Sequence, residues 1–82
     1  MKVWIVISFD GGTQDSLEVF NSKEKAISQV KKMFKQKTGK EVETLTEIRT
    51  TNFQKKEERV FWQTNWDSEA NFDANIYEQE VN

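Results

Sequence analysis

An α+β fold, with a single helix packed on one face of a mostly antiparallel sheet, is what this sequence predicts, and three observations predict it. Residues 23–38 carry one apolar stripe at helical spacing. The other apolar residues fall in short blocks rich in Val, Ile, Thr, Phe and Trp, the composition of strands. These blocks come in runs around the helix, in the order β-β-α-β-β-β, which favours neighbouring antiparallel strands. The chain has 82 residues, enough for one small domain over 1–82 and no second core.

The first block sets Val3, Ile5, Ile7 and Phe9 against Trp4, Val6 and Ser8. It reads as a strand over 2–9 that is apolar on both sides, and therefore as an inner strand. Asp10-Gly11-Gly12-Thr13-Gln14-Asp15 follows as a turn-rich loop whose glycines can take positive φ. A short strand over Ser16 to Phe20 comes next. Ser22 is a good N-cap, and Glu24 sits in the first turn, where an acid favours the helix dipole. Ala26, Ile27, Val30, Met33 and Phe34 then form the stripe, and Gly39 closes the helix after Lys35 and Lys37. Two strands over Val42–Asn52 and Glu58–Trp66 follow, joined as a hairpin through Phe53-Gln54-Lys55-Lys56-Glu57. Residues 67–75 read as a loop or short turn, and 74–81 as a closing strand centred on Ile76 and Tyr77.

One helix covers one face of such a sheet. With residues 3, 5, 7 and 9 all apolar, that side of the first strand is expected under the helix, against Ile27 and Phe34. Trp4 and Val6 then point the other way, together with either Phe61 or Trp62, and expose an apolar patch of roughly a few hundred Å². Either a second copy closes on this patch through a twofold axis, or the segment over 67–75 folds back across it.

The opening Met1-Lys2-Val3-Trp4-Ile5-Val6-Ile7-Ser8 and the joint Val19-Phe20-Asn21-Ser22-Lys23-Glu24-Lys25-Ala26 resemble a group of small uncharacterised bacterial and phage proteins. Those pair a first strand with a Val-Phe-x-Ser-x-x-x-Ala joint. The resemblance covers the first third of the chain and, more loosely, the Ile-Tyr-Glu-x-Glu-Val segment from Ile76. It implies a fold and no chemistry.

The chain has no histidine and no cysteine, so no Ser-His-Asp or Cys-His arrangement exists, and a structural zinc lacks its usual donors. A paired-carboxylate hydrolase needs a cleft that is hard to build at this size. Asp10-Gly11-Gly12-Thr13 is not a phosphate loop, because it has no lysine and leads into a strand. Asp67, Glu69 and Asp73 match no calcium-loop spacing. We therefore expect no enzyme activity, no cofactor, no metal and no small-molecule substrate. Five apolar residues near the start are too few for a signal-peptide core or a membrane span, and the lack of cysteine fits the cytoplasm.

Charge is split along the chain. Residues 1–40 hold eight lysines against four acids, a net of +4, and residues 41–82 hold four bases against ten acids, a net of −6. Lys31, Lys32 and Lys35 cluster on the helix, but an acidic chain of pI near 5.1 argues against a sequence-tolerant nucleic-acid binder. The expected role is a non-catalytic module that binds a protein. Its candidate residues are Trp4, Val6, Phe61 and Trp66 on the apolar side, and Asp67, Glu69, Asp73, Glu78 and Glu80 in the acidic segment. A self-assembling homodimer is one alternative, and a phage-type inhibitor whose acids imitate a nucleic-acid backbone is another.

Overall fold

The computed structural model describes residues 1–52, 54 and 57–81. Its elements are β1 (Lys2–Asp10), β2 (Thr13–Phe20), α1 (Lys23–Thr38), β3 (Leu45–Asn52), β4 (Glu57–Thr64) and β5 (Phe72–Glu80). The five strands form one antiparallel sheet in the spatial order β2-β1-β5-β4-β3, with α1 against one face. The expected α+β architecture is therefore present. β1 is an inner strand, as its two apolar sides require. The closing strand begins at Phe72, earlier than its sequence pattern indicated, and lies at the centre of the sheet. Part of the expected hairpin connection, at Phe53, Lys55 and Lys56, falls outside the described residues.

Local chemistry accounts for the joints. Gly11 and Gly12 both take positive φ, 63° and 81°, which lets a tight turn follow the twist of the β1–β2 ribbon. Ser22 caps α1 by accepting the Lys25 backbone N–H at 3.1 Å. At the far end Gly39 turns left-handed, at φ 73°, and its N–H reaches the Lys35 carbonyl at 2.8 Å. Ala26, Val30 and Phe34 are fully buried on the face that α1 turns to the sheet, and Ile27 and Met33 are packed beside them. No helix among the described residues is long and apolar enough to cross a membrane.

The side of β1 that meets the helix differs from the sequence expectation. Val6 and Ser8 are fully buried beneath α1 and Trp4 is half-buried with them, whereas Val3, Ile5, Ile7 and Phe9 line the face without a helix. The reason lies in β5. Its Phe72, Ala74 and Ile76 are the side chains that fill the core, and the register pairs Val6 with Ile76 and Ser8 with Ala74. Paired residues share a face, so β5 sets the phase of β1. Small side chains at Ser8, Ala74 and Ala26 also let helix and sheet approach closely, which bulkier Ile7 and Ile5 would prevent. Phe34 closes this core against Phe72, with ring centroids 6.1 Å apart. Trp62 completes it from β4, and the Lys23 ammonium lies 4.3 Å from its ring centroid.

Candidate interaction surface

The face away from the helix is built by register. Ile5 pairs with Val19 on one side and with Tyr77 on the other; Tyr77 pairs with Phe61, and Phe61 with Ile48. One apolar row thus runs across all five strands, from edge to edge. The next row holds Leu17, Ile7, Asn75, Gln63 and Thr46, paired in the same way. These ten positions carry no charge, although 32% of the chain is charged. Phe61 and Tyr77 stack with their centroids 5.3 Å apart. At the β2 edge Leu17 and Val19 are 53% and 58% exposed. Asn75 is buried in the middle of the second row, and its Oδ1 has no hydrogen-bonding partner among the described residues. Beyond it, the Gln63 amide donates to Asp73 at 3.3 Å.

The sequence-derived candidates do not assemble into one site. Phe61 and Asp73 lie on the open face, Phe61 in the apolar row and Asp73 at its margin. Val6 is core, and Trp4 sits on the helix side with a buried indole N–H that has no partner among the described residues. Trp66 stands 61% exposed outside the strands and donates to the Asn71 side chain at 3.1 Å. The segment over 67–75 does not cross the open face, since Ala70 and Phe72 pack into the helix-side core.

The acidic residues meet lysines from the other half of the chain. Glu78 pairs with Lys2 at 2.6 Å, and Glu80 with the amino group of Met1 at 3.0 Å, because β1 and β5 run side by side. The hydrogen bond from Lys2 to Glu78 holds the lysine above its ordinary pKa. Lys40, just past the helix, lies 3.0 Å from Asp67 and 3.6 Å from the exposed Glu69. Asp67 itself is buried and closes a turn, accepting the Ala70 N–H at 2.8 Å. That N–H, and then the Lys40 ammonium, hold the Asp67 carboxyl below the usual carboxylate range. Asp67 is a fastening of the fold rather than a surface group. Among the described residues, no group of three acidic side chains is placed to hold a metal.

The residues that make the open face, Ile5, Ile7, Leu17, Val19, Ile48 and Tyr77, were not among the sequence-derived candidates. The signal that could have found them is the alternation Phe72, Ala74, Ile76 against Asp73, Asn75, Tyr77, which fixes the phase of the neighbouring strands. Comparison of the chain with protein-family models, with curated proteins and with solved structures finds no match.

Proposed function

We propose that this protein is a non-catalytic module that binds protein through the open face of its sheet. The observation that carries this reading is the uncharged double row, in which five apolar side chains span the sheet without a covering helix. Contiguous apolar area of this extent on a small domain marks a contact surface. The aromatic pair at its centre, Phe61 and Tyr77, is of the type that anchors interfaces. The absence of histidine and cysteine from the chain agrees with a role through shape rather than reaction.

A photo-reactive amino acid placed at Ile5 or Phe61, and for comparison at the exposed Gln36 on the outer side of the helix, tests the reading in the native cell. Protein adducts are expected from the two sheet positions and not from the helix position. Equal yields from all three, or none from the sheet, would rule the surface out.

A further inference from the structure

We infer that the occupant of the open face is a second copy of this chain, packed sheet on sheet about a twofold axis that runs along the Val19–Ile5–Tyr77–Phe61–Ile48 row. The inference rests on the reading of this face as a protein-docking surface and names its partner.

Three observations carry it. The first is charge. A partner recognised by charge would need charges to meet, and the two central rows offer none. Lys2 with Glu78, Lys40 with Asp67 and the Met1 amino group with Glu80 pair instead at the helix side and the sheet margin. An uncharged apolar surface is complementary to itself, which is the requirement for a twofold contact.

The second is area. Five strands at about 4.8 Å spacing make a face about 24 Å wide, and four residues on alternate positions of β1 extend it about 25 Å along the strands. Roughly 600 Å² per copy, or roughly 1,200 Å² in all, lies at the lower end of specific protein interfaces. An interface at this end of the range fits a weak dimer whose population depends on concentration.

The third is the arrangement about the row. A twofold axis along it maps the row onto itself, so Tyr77 at its centre faces the partner's Tyr77. Arg59 on β4 and Asp73 on β5 lie on opposite sides of the row, and the same operation turns Arg59 toward the partner's Gln63–Asp73 pair. Sheets packed in this way sit about 10 Å apart, with strands inclined by about 30°.

Sedimentation of the full chain at micromolar to submillimolar concentration tests the proposal. The expected result is a mass rising with concentration from 9.7 kDa to twice that value. Tyr77→Lys should stay monomeric with an unchanged circular-dichroism spectrum. In case that variant does not fold, Tyr77→Cys with a short bis-maleimide should cross-link to a dimer, while Gln36→Cys should not. Arg59→Asp should weaken the dimer roughly three- to tenfold, through two symmetric marginal pairs, and Arg59→Asp with Asp73→Arg should restore it. A chain that remains at 9.7 kDa throughout overturns the second copy. If sheet-directed photo-adducts to another protein persist in that case, the docking surface stands with a different occupant. A dimer that cross-links equally through Gln36→Cys overturns the placement on the sheet.

Discussion

Phe34 is the side chain on which helix and sheet most depend. It is fully buried, and it joins α1 to the first residue of β5 through Phe72. Phe34→Ala should cost about 3–5 kcal/mol, a large share of the total for so small a domain, and lower the melting midpoint by more than about 10 °C. A melt within a few degrees of wild type would show that the stripe is not buried. Asp67 makes a different case, because its contribution depends on charge. Its folded pKa is depressed, so the stability it adds is complete above the ordinary carboxylate value and is lost as pH falls through the lower folded value. Asp67→Asn can still cap the Ala70 N–H but loses the attraction to Lys40. The gap in melting midpoint between the two proteins should therefore be widest near neutral pH and close as pH falls below about 4. A gap that stays constant as pH falls through and below that value would mean the charge of Asp67 contributes nothing.

At the scale of elements, the helix was fully legible in the sequence and the faces of the sheet were not. Ser22, the Ala26–Phe34 stripe and Gly39 each act through residues within one or two turns, so the sequence carries cap, face and stop together. Ser22→Ala should cost about 1 kcal/mol in a denaturant titration by removing the acceptor for the Lys25 N–H. β1 is different because both of its sides are apolar, and periodicity alone cannot say which one meets the helix. That choice is made by β5, a strand more than sixty residues away whose alternation is visible only once its start at Phe72 is recognised. Val6 and Val3 test the assignment with one residue type on one strand. Val6→Ala should cost about 2 kcal/mol, and Val3→Ala clearly less. Equal costs would mean that the face away from the helix is buried as deeply as the core. The candidate surface was legible in kind, as an apolar sheet face beyond the helix, and in the single residue Phe61. Its other members followed the phase of β1 and were missed with it.

At the scale of the whole molecule, the opposite charges of the two halves of the sequence meet across the β1–β5 seam and at the end of the helix. Apart from Lys40–Asp67, whose carboxylate is buried, these pairs are at least partly exposed and each is worth little, and salt should lower the melting midpoint only slightly. A large salt-induced loss would show that the seam depends on them. The seam has a further property that comes from the order of strands rather than from any contact within it. Among the described elements β5 comes last in sequence, yet it lies between β1 and β4 and joins the two ends of the sheet. Until residues 72–80 leave the ribosome, β1–β2 and β3–β4 lack the strand that joins them, and the helix stripe lacks Phe72, Ala74 and Ile76 to pack on. Folding is thus delayed to the end of synthesis of this segment, and the interval before it is when the chain is most open to proteases and to pairing with its neighbours on the same message. A chain stalled before Phe72 should be digested as readily as an unstructured one, and release of nine more residues should confer protection in a single step.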